Sequence, residues 1–283
     1  MKERAFSKPV VKINVFATVA PEAAQSKLEL RSVSRIFHSA SGDIHAIDSV
    51  NLRVRPGEFV CIVGPSGCGK STLLNLFAGL DQPTSGKVLM DGVAVNGPGP
   101  DRVVMFQEHG LFPWLSVRGN IEFGLKCKGV SRQQSREIAR YWLRVVHLER
   151  FENSYIHQLS GGMKQRVALA RSLAMDSEVL LMDEPFTALD AQSRDLLHEE
   201  LERVWSSTGK TIVFVTHNVR EAVRLGDRVI LMSFRPGRIM KEFRINLEHS
   251  RHVEDIDVAA SAKEIMTHLR AEIDRSFDEE RPA

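Results

Sequence analysis

Residues 64 to 72 read Gly-Pro-Ser-Gly-Cys-Gly-Lys-Ser-Thr, and no other stretch constrains the fold as strongly. They follow Glu58-Phe-Val-Cys-Ile-Val63, a short apolar run of the kind expected for a strand covered on both faces. Residues 64 to 71 match G-x-x-x-x-G-K-S/T. Glycines let backbone N–H groups approach an anion closely, because no Cβ blocks the path. A helix starting here adds its unpaired N–H groups and partial positive charge. Lys70 can then reach β- and γ-phosphates, and the Ser71 hydroxyl can sit on Mg²⁺.

The rest of the chain repeats the strand-then-helix rhythm. Val103 to Phe106, Val179 to Met182, Ile212 to Thr216 and Val229 to Met232 are short apolar runs, and helical stretches separate most of them. This alternation predicts an α/β fold with a mainly parallel sheet. Leu28 to Val33 and Ile44 to Val54 alternate around Ser/Gly-rich turns, which predicts an antiparallel start. Between 107 and 175 the strand signal vanishes. There Ser131-Arg-Gln-Gln134 fits a capping box opening a helix through about Leu148, and Met163 to Met175 forms another. A second box, Ser261-Ala-Lys-Glu264, precedes a stripe at Ile265, Leu269, Ile273 and Phe277. The expected division is a loose arm over 1–26, an α/β domain over 27–245 with a helical insert at about 107–175, and a helical tail over 246–283. No internal repeat is visible.

Composition narrows the partners. With 38 basic and 36 acidic residues the net charge is +2, so charge gives no argument for nucleic acid or an anionic membrane surface. No apolar run approaches the roughly 20 residues that span a bilayer, so a membrane role must go through a partner. Lys12 and Asn14 interrupt the apolar stretch near the N-terminus, and a cleaved signal is not expected. Cys61, Cys68 and Cys127 lack CxxC spacing, which disfavours a zinc site or disulfide framework and fits a reducing compartment.

Three further constellations bear on a phosphate chemistry. Val179-Leu-Leu-Met-Asp-Glu184 is an apolar strand ending in two carboxylates. Alternation sends adjacent side chains to opposite faces, so Asp183 and Glu184 cannot do one job while both remain extended. Asp183 suits a Mg²⁺-associated water, and Glu184 suits a base polarising an attacking water. Leu159-Ser-Gly-Gly-Met-Lys-Gln-Arg166 is a second glycine-rich helix start that again suits phosphate. His217 follows the strand Ile212 to Thr216 at its end.

Together these residues resemble the ATP-binding cassette family, the motor subunits of ABC transporters, over residues 28 to about 240. Gly64, Pro65, Ser66, Gly67, Cys68, Gly69, Lys70, Ser71 and Thr72 match the family's Walker A loop. Phe37 falls where the family stacks an aromatic on adenine, and Gln107 matches the Q-loop glutamine, a Mg²⁺ contact. Ser160, Gly161 and Gly162 belong to the signature, Asp183 and Glu184 to Walker B, Asp190 to the D-loop, and His217 is the switch histidine. Met163 departs from the usual signature glutamine, and Phe37 replaces the commoner tyrosine, keeping the stacking face.

The resemblance implies a P-loop ATPase core with an antiparallel β subdomain and an inserted α-helical subdomain, using ATP and Mg²⁺. It implies a head-to-tail homodimer in which Ser160, Gly161, Gly162 and Asp190 of one subunit meet nucleotide held by the other. Glu184, His217 and Gln107 would be the catalytic side chains. A cassette alone on its chain resembles bacterial importers, and the motif wording resembles the nitrate/sulfonate/taurine group. Separate transmembrane permease subunits, an indirectly linked periplasmic solute-binding protein and a place on the cytoplasmic face of the membrane follow from that likeness.

The loop Phe112-Pro-Trp114 could wall a groove for a partner helix or cap the insert's own core. A soluble cassette of DNA repair or translation is the main alternative. The gap from Thr72 to Leu159 is too short for a coiled-coil or zinc insertion, and only one cassette is present. A P-loop kinase would have no use for Leu159 to Gly162, and a non-catalytic nucleotide binder none for Glu184 and His217. Cys68 beside Lys70 at a helix start is expected to have a lowered thiol pKa and to be blocked from alkylation by nucleotide, unless it is an inert filler.

Overall fold

The computed structural model describes residues 26–40 and 42–279. The expected N-terminal arm therefore lies almost wholly outside the described residues. β1 (Leu28–Ser39) and β2 (Gly42–Val54) form the antiparallel start. β3 (Phe59–Val63) leads into α1 (Lys70–Ala78). β4 (Ser85–Met90) and β5 (Val93–Ala94) return to β1, completing a four-stranded sheet of order β2-β1-β4-β5. β6 (Arg102–Met105) then enters a second sheet, which continues with β7 (Val179–Asp183), β8 (Thr211–Val215), β9 (Arg228–Met232) and β10 (Ile239–Arg244). This six-stranded sheet has the order β10-β9-β3-β8-β7-β6, parallel except for β10.

The apolar runs form central strands because both faces are covered. Phe59, Cys61 and Val63 of β3 enter one core with Leu180, Met182, Ile212 and Phe214. Val60 and Ile62 enter the other with Leu181, Val213, α1 and the antiparallel sheet. Side-chain alternation thus sorts one strand between two cores.

The helical insert comprises α2 (Val117–Cys127), α3 (Arg132–Val145) and α4 (Gly161–Ala174). Ser131 caps α3 by accepting from Gln134 N at 3.3 Å. The helix stops at Val145, short of Leu148, because His147 takes a left-handed φ of 54° and Leu148 N closes on Leu143 O at 2.8 Å. α5 (Ala191–Thr208) and α6 (Val219–Leu225) flank the sheet.

The tail helix α7 spans Ile256–Glu279, so Ser261 lies inside it and does not open it. Val258, Ala262, Ile265 and Leu269 are buried against the core, a wider face than the expected stripe. The side chain of Phe277 lies outside the described residues.

The strap between β10 and α7 is fastened at His249. Its Nε2 lies 2.9 Å from Asp227 Oδ1 and its Nδ1 3.1 Å from Glu202 Oε1. Only the doubly protonated ring donates to both, so Asp227 first and Glu202 second raise its pKa above the ordinary value, against burial and nearby Arg251. A raised folded pKa contributes stability that is fully present below about pH 6.5 and is lost as pH rises through the folded value. The melting-temperature gap between wild type and His249→Gln is expected to be wide at pH 6 and to narrow by pH 9. A gap that does not change with pH would remove the ionic clasp.

Candidate functional site

Lys70 opens α1 from a left-handed Gly69 (φ 94°). A Cβ on Gly69 would stand 2.7 Å from Ala46 O and 2.7 Å from the Ile47 side chain, so only glycine fits where the loop meets β2. The Lys70 ammonium is buried and donates to Gly64 O at 2.9 Å and Pro65 O at 2.8 Å. The loop is thereby wound around its own cation.

A cavity of about 570 Å³ opens over this loop. Ser66, Gly67, Gly69, Lys70, Ser71 and Thr72 form its floor. Gln107, Glu184 and His217 line it from the ends of β6, β7 and β8. Phe37, Ile44 and Ala46 close it from the β1–β2 hairpin. Phe37 and Ile44 pair across the strands and are exposed, and the Arg35 guanidinium covers the Phe37 ring at 4.4 Å. Cation–π contact braces that ring and fits it to receive a flat base.

Gly64, Pro65 and Cys68 do not line the cavity. Cys68 corrects the expectation of a reactive thiol. Its side chain is fully buried behind the loop, and burial outweighs Lys70 and raises its pKa. Cys61 is likewise buried, whereas Cys127 is exposed. Maleimide under native conditions is expected to label Cys127 alone, with Cys61 and Cys68 reacting after denaturation, as read by mass of the intact chain and its peptides.

Glu184 reaches the cavity because the chain does not stay extended, whereas Asp183 is hydrogen-bonded to Ser71 and does not line the cavity. Glu184 takes a left-handed φ of 45°, a conformation costing a non-glycine residue about 1–3 kcal/mol. Several contacts hold it there. Glu184 N donates to Val215 O at 2.9 Å, and Thr187 Oγ donates to Glu184 O at 3.1 Å. Gln165 of α4 donates to Glu184 O at 3.5 Å and accepts from Ala188 N at 3.3 Å. Glu184 Oε2 lies 3.0 Å from His217 Nδ1. A carboxylate only accepts, so Nδ1–H donates and Nε2 is left for another partner.

Asp183 is buried, and that burial raises its pKa, with Glu184 adding to the effect and a hydrogen bond from Ser71 and the charge of Lys70 opposing it. Among the described residues, no group of three or more His, Cys, Asp or Glu could hold a metal alone. Mg²⁺ takes few protein ligands and keeps phosphate oxygens and waters, so the Ser71–Asp183 pair fits it.

Ser160 caps α4, accepting from Met163 N at 3.3 Å, and both Ser160 and Gly161 are exposed. Asp190 caps α5 through Ser193 N at 2.9 Å and is also exposed. Neither Ser160–Gly162 nor Asp190 lines the cavity of its own chain. The fold therefore gathers Phe37, Ser66, Gly67, Gly69, Lys70, Ser71, Thr72, Gln107, Glu184 and His217 around one cavity, with Asp183 outside its lining, and leaves Ser160, Gly161 and Asp190 on the surface.

A second concavity, about 320 Å³ and largely apolar, lies between the core and the helical insert. Phe106, Phe112, Phe123 and Met175 line it. Asn120 fastens the 107–115 loop, accepting from Phe112 N at 2.7 Å and donating to Phe112 O at 3.1 Å. Arg171 of α4 holds Gly110 O at 2.7 Å and His109 O at 3.0 Å. Phe112 lines this groove with the Trp114 ring tilted beside it at 5.4 Å, and Trp114 is 69% exposed, so it does not cap the insert.

Fold and site together define an ATPase of the ATP-binding cassette class. The family model described as ABC transporter matches residues 47–187. The nitrate import ATP-binding protein NrtD of Synechocystis is 51% identical over 220 residues, 78% of this chain and 83% of that protein. The taurine import ATP-binding protein TauB of Burkholderia pseudomallei is 45% identical over 258 residues, 90% of this chain and 99% of that protein. The solved dimeric ATP-binding cassette MJ0796, in a post-hydrolysis state bound to ADP and Pi, is 35% identical. It superposes with a TM-score of 0.73 over 78% of this chain and all of that one. The chain belongs to the ABC transporter family of ATP-binding subunits.

Proposed function

We propose that the protein is the ATP-hydrolysing subunit of an importer, working as a head-to-tail pair on separate transmembrane subunits. One observation carries this reading. The cavity gathers Lys70, Ser71, Gln107, Glu184 and His217, while the exposed Ser160 hydroxyl lies outside it. A second copy, inverted, would bring its Ser160, Gly162 and Asp190 over the open face.

In that arrangement Lys70 and the loop N–H groups hold the β- and γ-phosphates, and adenine stacks on Phe37. Ser71, Asp183 and Gln107 would hold Mg²⁺, which would supply charge neutralisation when bound. Glu184 accepts a proton from the water whose oxygen bonds to the γ-phosphorus as the bridging P–O bond breaks. His217, held by Glu184 through Nδ1–H, leaves Nε2 for the γ-phosphate, to which it donates when the ring is doubly protonated. Glu184→Gln is expected to keep Mg-ATP binding and to lose roughly 10²- to 10⁴-fold in phosphate release. An unchanged rate would refute Glu184 as the base.

Shared sites predict complementation. Lys70→Ala and Ser160→Arg chains are each expected to be inactive alone, and mixing them restores hydrolysis through one intact composite site per mixed dimer. A mixture as inactive as its components would exclude the head-to-tail pair.

Among the described residues no helix is long and apolar enough to cross a membrane. The apolar groove beside Phe112, Phe123 and Trp114 is the surface we assign to a helix of a permease on the cytoplasmic face, and in an importer a periplasmic solute-binding protein would act upstream of that permease. Likeness to NrtD and TauB supports nitrate, taurine, a sulfonate or a related small solute as cargo. Trp114→Ala is expected to keep the ATPase rate of the isolated subunit and to lose transport in the assembled complex.

A further inference from the structure

The nucleotide cavity has a wall that comes from neither its loop nor its strand-end carboxylates. After β9 the chain turns through Ser233–Arg238, and Arg235 lines the same cavity as Phe37 and Lys70. Arg235 Nε donates to Gly67 O at 3.0 Å, on the floor of the phosphate loop. Among the described residues, its two terminal amino groups have no hydrogen-bond partner.

This turn is held from two sides. Gly237 N donates to Ala46 O at 3.0 Å, and Asp48 N to Gly237 O at 3.0 Å. A Cβ on Gly237 would fall 2.2 Å from Cys68 O, so the turn is pressed directly between β2 and the phosphate loop. On the far side, Phe234 N donates to Glu272 Oε2 of α7 at 3.0 Å. Glu272 is 3% exposed, and its other oxygen accepts from Arg275 at 2.9 Å. A buried carboxylate is costly unless its acceptors are used, and apolar packing of α7 would not require one. Here it fixes the backbone of the residue preceding Arg235.

We propose that Arg235 is a nucleotide-binding residue that gives its terminal N–H groups to the polyphosphate of the adenine nucleotide. Glu272 is its positioning residue, so the tail helix is part of the nucleotide site. Guanidinium suits this role because its planar fork pairs with phosphate oxygens in two-point fashion while Nε stays on Gly67 O. The inference rests on the reading that residues 64 to 72 hold the triphosphate.

The test is equilibrium binding of Mg-ATP, Mg-ADP and AMP to the full chain, with thermal unfolding of every variant. Arg235→Ala is expected to weaken Mg-ATP and Mg-ADP roughly 10-fold or more, as for loss of a hydrogen bond to a charged group, and to change AMP less. Glu272→Leu is expected to weaken Mg-ATP in the same direction, while Glu272→Gln, which keeps an oxygen acceptor for Phe234 N, retains affinity. Adding Glu272→Leu to Arg235→Ala gives no further loss if Glu272 acts through Arg235. Mg-ATP binding by Arg235→Ala within twofold of wild type overturns the proposal, as does a Glu272→Leu variant that only melts earlier. Should Glu272→Leu fail to fold, Arg235→Ala decides alone, because Arg235 is a surface side chain. Lys70→Ala separates the two readings. If it also binds normally, the phosphate-loop reading fails. If it loses binding while Arg235→Ala does not, only the role of Arg235 falls.

Discussion

The parallel register of β3, β7, β8 and β9 is the constraint on which the site depends. Ile62 and Asp183 both lie opposite Val215, and Val63 lies opposite Leu231. Four chains therefore leave the sheet at one edge, and each delivers a group there: the phosphate loop, Glu184, His217 and Arg235. Ligands of open α/β sheets bind at such carboxyl ends. The ladder continues past the strands through Glu184 N to Val215 O at 2.9 Å and Thr216 N to Ile62 O at 3.1 Å. A slip of one residue would exchange the two apolar cores and turn the site residues away.

α4 gives the site its mechanical reach. Its first residue follows the exposed Ser160, its middle places Gln165 against Glu184 O and Ala188 N, and its last turn places Arg171 on Gly110 O and His109 O. One element thus touches the surface serine, the strand end at Glu184 and the loop beside the apolar groove. Anything that shifts the groove relative to the core must move α4 or strain these bonds. In the proposed complex with a permease, that would be a physical basis for passing the state of the nucleotide to the partner.

A buried polar network braces the turn that carries His217. His198 of α5 sits 2.7 Å from Glu221 of α6, and Glu221 also accepts from the Thr216 hydroxyl, next to His217. The Thr216 oxygen in turn accepts from Asn218 N at 3.0 Å. The turn carrying His217 is held by a core network, while the imidazole itself remains exposed. Rigid backbone under an exposed side chain suits a group that must meet substrate.

The signals that could be read in advance were those written in consecutive residues. Phosphate loop, apolar strands, the Ser131 cap and the carboxylates after β7 each declare themselves within about ten positions. Sequence reading missed β10, whose exposed edge pattern carries little periodicity, and β4. It also missed Arg35, Ile44, Gln165, Thr187, Arg235 and Glu272. Arg235 meets Gly67 across 168 residues and Glu272 meets Phe234 across 38, separations at which no local pattern exists. Cys68 failed for another reason. The neighbours that should lower its pKa are adjacent in sequence, but burial, which raises it, is a property of the folded core.

By itself, then, the sequence determined the order of strand, anion-binding turn and helix, the hydroxyls and amides that cap helices, and the kinds of chemistry on offer. Backbone propensity and side-chain alternation are local, and they act before the chain closes on itself. Tertiary structure decided which of those groups share one cavity, that Glu184 turns left-handed to line it while Asp183 stays buried beside Ser71, and that Ser160 stays outside it. Those outcomes depend on strand register and solvent exclusion, and both exist only once distant segments have packed together.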